Sequence, residues 1–209
     1  EGFIAAKFRN AGQTCISANR LFVEEKIFDK FLKKLVVRIK KLKVGNGFEK
    51  SDVGPLISEK AIKKIKNHID DALSKGGEIL IGGKKSKIGK LFFEPTIVTN
   101  INKSMKIFSN ENFGPIIPVI KFKSDDELIQ LANDTNYGLA AYFYTKKASR
   151  VWKIIENLEY GMLGINSGKI SSYLNPFGGL KESGVGREGS IQCLEPFLET
   201  KFVSWSYDD

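Results

Sequence analysis

The chain has 209 residues, 42% hydrophobic and 27% charged, a balance that suits a folded globular chain and excludes a disordered or fibrous one. Lys+Arg 33 against Asp+Glu 24 gives a formal charge of +9, and two cysteines exclude a disulfide scaffold and fit a reducing, cytoplasmic setting. One histidine and two cysteines fall short of the usual structural zinc site, so no metal is expected, and no apolar run approaches the roughly 20 residues of a membrane helix, so no membrane partner is expected either.

The chain opens Glu1-Gly2-Phe3-Ile4, with neither an initiator methionine nor a signal-peptide pattern, and reads as if entered within a helix. Residues 2–12 look helical and end at Gly12. Leu21-Phe22-Val23 is a short strand candidate. Over residues 27–42, Phe28, Phe31, Leu32, Leu35, Ile39 and Leu42 recur at helical spacing while lysines fill the remaining positions. Ser58 is placed to cap a helix running to about Lys75, which Gly76-Gly77 stops. Ile79-Leu80-Ile81 reads as a buried strand and Thr96-Ile97-Val98 as another. Ile116 to Phe122 is a third, with Pro118 arguing for an edge position or a break. Ser124 and Glu127 form a capping box ahead of a helix carrying Leu128, Ile129, Leu131 and Ala132. Ala140 to Tyr144 is strand-like, Val151 to Leu158 helical, and Met162 to Ile165 a further strand.

Strands alternating with helices predict an α/β layer architecture with a largely parallel sheet. Residues 168–190 are rich in Gly and Ser and read as long loops. Residues 1–190 then form one domain. Residues 191–209 form a C-terminal arm whose weakly alternating stretch Leu198 to Tyr207 reads as a strand needing a sheet from another chain. The lysines at 33–43, 60–66 and 84–90 could face a nucleic acid. They lack interleaved aromatics and fit the wet faces of amphipathic helices better, so no nucleic-acid partner is expected.

Among groups with chemistry, Cys15 follows a glycine-terminated helix among small and polar residues, where a thiol can meet an electrophilic carbon. A free cysteine also serves as a small buried hydrophobe, and the local residues leave both readings open. Cys193 has no comparable context and reads as structural. His68 sits among Lys66, Asn67 and Asp70 and reads as a surface residue, so a Cys-His dyad is not expected. Gly184 to Gly189 fits the string G-x-G-x-x-G but follows a loop, not a strand, and reads as loop glycines rather than a phosphate cradle.

Four segments, in order, resemble the aldehyde dehydrogenase superfamily. They are Phe8-Arg9-Asn10-Ala11-Gly12-Gln13-Thr14-Cys15, Glu111-Asn112-Phe113-Gly114-Pro115, Asn133 to Ala141, and Pro176-Phe177-Gly178-Gly179-Leu180-Lys181-Glu182-Ser183-Gly184. The form Lys7 to Cys15, the step Ile170-Ser171-Ser172, and Gly186 to Ser190 are similar to the family's succinate-semialdehyde branch. The resemblance implies a three-layer α/β fold, with Cys15 as a nucleophile adding to an aldehyde. It implies NAD or NADP as hydride acceptor, with Glu111 on the nicotinamide ribose and Phe113 near the ring. Without it, Glu111 would be a solvated loop acid and Phe113 a core residue. It further implies that Arg9 grips a distal substrate carboxylate, helped by Ser171, and that Phe177 lines the aldehyde channel. Arg9 alone would read as a surface ion pair.

Where some relatives carry a second cysteine, two residues past the nucleophile, this chain has Ser17, so no disulfide switch is expected. In the family, the dinucleotide-binding domain, the general-base glutamate and the oxyanion asparagine precede the nucleophile. Only 14 residues precede Cys15, so this segment by itself is expected to lack them and to show negligible dehydrogenase activity. A complete enzyme is expected to be a homodimer or homotetramer acting on succinate semialdehyde. Glutarate semialdehyde, another aldehyde, or cofactor-free thioester chemistry at Cys15 are the alternatives.

Overall fold

Short apolar runs and longer amphipathic stretches segregate into a sheet and the helices that cover it. The computed structural model describes residues 1–207. In chain order the elements are α1 (Gly2–Phe8), β1 (Leu21–Glu24), α2 (Phe28–Ile39), α3 (Glu59–Ser74), β2 (Glu78–Ile81), β3 (Thr96–Thr99), α4 (Lys106–Ser109), β4 (Ile116–Phe122), α5 (Asp125–Asn133), β5 (Tyr137–Gly138), β6 (Ala140–Phe143), α6 (Ala148–Asn157), β7 (Met162–Ile165) and β8 (Leu180–Lys181).

The main sheet has strand order β1-β4-β3-β2. β4 runs parallel to both β1 and β3, and β2 joins β3 antiparallel as the edge. β6 and β7 form a separate parallel pair, β5 and β8 a short antiparallel one. The fold is therefore α/β and mostly parallel, with an antiparallel edge. β3 is buried along its whole length and β4 everywhere but Lys121, as expected where both faces of a sheet are covered.

The predicted helices form for the predicted reasons. α2 buries Phe28, Leu32, Leu35 and Ile39 and leaves its lysines wet. α3 starts at Ser58, whose Oγ accepts from Ala61 N at 3.2 Å. It ends where Gly76 takes a φ of +91 and Gly77 N donates back to Ala72 O at 2.8 Å. Ser124 caps α5 by accepting from Glu127 N, while Glu127 accepts from Lys123 N at 2.7 Å, one residue outside a standard capping box. The isoleucines at 62, 65 and 69 on α3 are at most 2% exposed. Each contributes about 1.5–3 kcal/mol of burial.

Four expectations need correction. Residues 2–12 are not one helix: α1 stops at Phe8, and Asn10, Ala11 and Gly12 all have positive φ. The run 79–81 is not buried, because β2 is the edge and Leu80 faces out. Pro118 marks neither an edge strand nor a break. β4 pairs with β3 over Ile116–Pro118 and with β1 from Val119 onward, so the proline falls where the strand exchanges partners. His68 is buried rather than superficial, since it belongs to the α3 stripe Ile62, Ile65, His68, Ile69 and Ala72. Residues 198–207, expected to pair with a sheet of another chain, form no strand within this one. They follow a 3₁₀ segment (Ile191–Phe197) and lie exposed, without a ladder among the described residues. The last two residues of the predicted arm fall outside the described residues.

Candidate active site

Cys15 is exposed and sits on a loop whose shape is set just upstream. Asn10, Ala11 and Gly12 take φ values of +51, +57 and +80, three consecutive left-handed residues that turn the chain sharply after α1. Gly12 is required for a second reason. A Cβ there would lie 2.4 Å from Gly114 O, so the cysteine loop rests directly on the loop that carries Glu111 and Phe113. Gln13 ties the turn down. Its Nε2 donates to Pro55 O and Asn10 O, each at 3.2 Å, and its Oε1 accepts from Ile57 N at 2.8 Å. Thr14 Oγ1 is buried with no partner among the described residues.

Cys15, Glu111 and Phe113 line one large cleft. Glu111 is exposed there, and Phe113, 36% exposed, holds a left-handed φ of +51. An exposed carboxylate and an exposed aromatic on the same loop, facing the same cleft as the thiol, fit a nicotinamide nucleotide. The two carboxylate oxygens accept from ribose hydroxyls and the ring offers an apolar face. Sequence reasoning missed Lys7, which lines the same cleft at 1% exposure. Burial lowers its pKa to about 7, and the charge of Glu111 opposes that fall. Ser17 Oγ donates to Lys7 O at 3.0 Å, joining the end of α1 to the chain beyond the cysteine.

Between Glu111 and Phe113, the side chain of Asn112 goes inward and is 0% exposed. Its Nδ2 donates to Asn19 Oδ1 at 2.9 Å, Asn19 O at 3.3 Å and Ile107 O at 3.2 Å. Its backbone N donates to Asn19 Oδ1 at 2.8 Å. Asn112 Oδ1 is left to accept, and His68 Nδ1 stands 2.9 Å from it. Burial pushes the His68 pKa down, which favours the neutral ring with its proton on Nδ1. A helical stripe at i, i+3, i+4 and i+7 held the signal for this burial; the charged neighbours obscured it.

Arg9 and Ser171 are 162 residues apart in sequence, yet Arg9 Nη1 donates to Ser171 Oγ at 3.4 Å. Tight backbone contact explains the approach: a Cβ on Gly168 would lie 2.0 Å from Gly2 O, so the loop after β7 lies against the start of α1. Both Arg9 and Ser171 are exposed. Tyr142 on β6, also missed, donates from Oη to Ile16 O at 2.9 Å. Burial raises its pKa to about 12, with Arg9 lowering it and Cys15 raising it. Phe177 is half-buried in a loop closed by reciprocal backbone bonds to Glu188, each 2.7 Å. It is not among the residues that line the cleft, and neither are Arg9 and Ser171.

The chain is thus a mostly parallel α/β unit that offers a cysteine, a glutamate and a phenylalanine to one cleft. The chain belongs to the aldehyde dehydrogenase family, which it matches over residues 1–203. It is 50% identical over 204 residues to a probable succinate-semialdehyde dehydrogenase [NADP(+)] of Sinorhizobium fredii, covering 97% of this chain and 42% of that protein. It is 48% identical to a glutarate-semialdehyde dehydrogenase of Pseudomonas aeruginosa, with the same coverage. Among solved structures, a succinate-semialdehyde dehydrogenase from Burkholderia pseudomallei is 51% identical with a TM-score of 0.91. That match covers 93% of this chain and 40% of the other. The chain thus spans about two fifths of the length of these relatives.

Proposed function

We propose that this chain supplies the nucleophile and the substrate clamp of an NAD(P)-dependent dehydrogenase that oxidises succinate semialdehyde to succinate. The observation that carries the reading is the meeting of Arg9 and Ser171 beside the loop of Cys15, 3.4 Å apart across 162 residues of sequence. A guanidinium fork and a hydroxyl together suit a carboxylate at the far end of the aldehyde. The Cys15 thiolate adds to the aldehyde carbon and forms a thiohemiacetal. Nicotinamide, when bound, accepts a hydride. The thioester left on Cys15 is hydrolysed by water, releasing the acid and the thiol. Glu111 and Phe113 are the residues of this chain that would hold the nucleotide.

The test belongs in a full-length enzyme carrying this chain. Arg9→Ala should raise the KM for succinate semialdehyde about 10- to 100-fold, the worth of a charge-assisted pair, and leave the KM for propanal nearly unchanged. Equal effects on both aldehydes would remove the carboxylate clamp. The five-carbon glutarate semialdehyde stays a second reading because a relative at 48% identity bears that name, and the ratio of kcat/KM for the two acids separates them. Two further readings belong to the same proposal. The exposed apolar arm, with Phe197, Phe202 and Trp205, suits pairing with a second copy. The free thiols Cys15 and Cys193 suit the cytoplasm.

A further inference from the structure

We propose that His68 is a positioning residue for the nicotinamide-facing pair Glu111 and Phe113, acting through the buried side chain of Asn112. The inference rests on the reading that this pair faces the nucleotide, and it concerns what holds the pair in place.

The loop 111–114 is short, and its two cleft-facing residues flank one inward residue. That inward residue is therefore the handle by which the loop is held. Asn112 Nδ2 meets three oxygens, Asn19 Oδ1, Asn19 O and Ile107 O, which fixes the orientation of the amide and leaves Oδ1 as an acceptor. Among the described residues, the single donor at Oδ1 is His68 Nδ1, at 2.9 Å. Both side chains are buried, at 0% and 4% exposure, so water does not readily replace a lost partner. One turn earlier on α3, Ile65 backs the same loop: a Cβ on Gly114 would lie 2.0 Å from Ile65 Cδ1. One face of α3 thus supports the loop at two points, an apolar contact at Gly114 and a directional bond at Asn112. Asn19 Oδ1 also accepts from Asn112 N at 2.8 Å, and the His68 bond is the directional restraint that α3 adds to the backbone between Glu111 and Phe113, where φ turns to +51. The charged groups around the imidazole are Lys64 and Asp71 on its own helix and Lys106 on α4.

The experiment uses His68→Asn and His68→Gln in the full-length enzyme. An asparagine Nδ2 falls where the imidazole Nδ1 was, whereas a glutamine Nε2 falls where Nε2 was. Asparagine leaves the larger cavity but keeps the donor. The readout is the dissociation constant of NADH and NADPH, measured by calorimetry without aldehyde, with the iodoacetamide rate of Cys15 measured alongside. His68→Gln should weaken nucleotide binding about three- to tenfold. His68→Asn should stay within about twofold of the parent, and both should keep the Cys15 rate. Unchanged binding in both variants overturns the proposal. So does weakening that follows loss of melting temperature, with asparagine the worse of the two, since that marks a packing role alone. Glu111→Ala serves as the reference: if it leaves nucleotide binding untouched, the reading of the loop itself fails, and this inference fails with it for that separate reason.

Discussion

Lys7 provides the sharpest test of how the cleft is built. Its side chain is 1% exposed, with no salt bridge among the described residues, and burial takes its pKa from the ordinary 10.5 to about 7. At about 1.4 kcal/mol per pH unit, that fall corresponds to about 5 kcal/mol of destabilisation when the amine is charged. The sign follows from proton counting. Below pH 7 the amine is charged in both states, and the fold bears the full cost. Between about 7 and 10.5 the unfolded chain binds the proton and the folded chain does not, so stability rises with pH. Methionine has a similar length and no charge. Lys7→Met should therefore stabilise the chain by several kcal/mol at about pH 6, with the gain shrinking to about 1 kcal/mol near pH 9.5. Urea denaturation of the parent and the variant at those two pH values reads both numbers. A gain that is the same at both, or a loss at pH 6, would refute the account of Lys7 as a desolvated cation.

Two other substitutions test the cysteine loop. Gly12→Ala places a methyl 2.4 Å from Gly114 O at a φ of +80; it should cost about 2 kcal/mol or more and alter the rate at which iodoacetamide alkylates Cys15. An unchanged melting curve together with an unchanged rate would show that the two loops do not bear on each other. Thr14→Val removes a buried hydroxyl that has no partner among the described residues and should raise stability by about 1 kcal/mol in urea denaturation; a loss of similar size would mean that Oγ1 is hydrogen-bonded in solution.

Periodicity and capping carried most of the fold. The helical stripes of α2 and α3, the Ser58 and Ser124 caps and the strand runs all lie where local rules put them. Edge and interior were harder to tell apart, because pairing partners are not local. β2 is apolar yet marginal in the sheet, and Pro118 is tolerated inside it only because β4 changes neighbours there. The motifs single out Cys15, Glu111 and Phe113, which the fold brings to one cleft, and Arg9 and Ser171, which it brings within hydrogen-bond distance. The supports were not legible in the sequence. A left-handed alanine at position 11 leaves no mark in composition. Lys7 is charged and would be assigned to solvent, and His68 was judged by its neighbours in sequence instead of its place on the helix. Long-range contacts such as Arg9 with Ser171 depend on Gly2 and Gly168 meeting backbone to backbone, which no window of sequence contains.

The supports also explain how an exposed cysteine keeps a defined position. Left-handed backbone at Asn10 and Ala11 costs on the order of 1 kcal/mol per residue, and an isolated turn would relax. Here it cannot relax without breaking bonds elsewhere. Gln13 binds Pro55 O and Ile57 N, in the segment that leads into α3. Gly12 lies against Gly114, Gly114 against Ile65, and Asn112 against His68, the last two partners both on α3. The cysteine loop, the glutamate loop and one helix face therefore form a closed chain of contacts. Strain in the first link is offset by hydrogen bonds and packing in the others, so a change on α3 is transmitted to the cleft through Gly114 and Asn112.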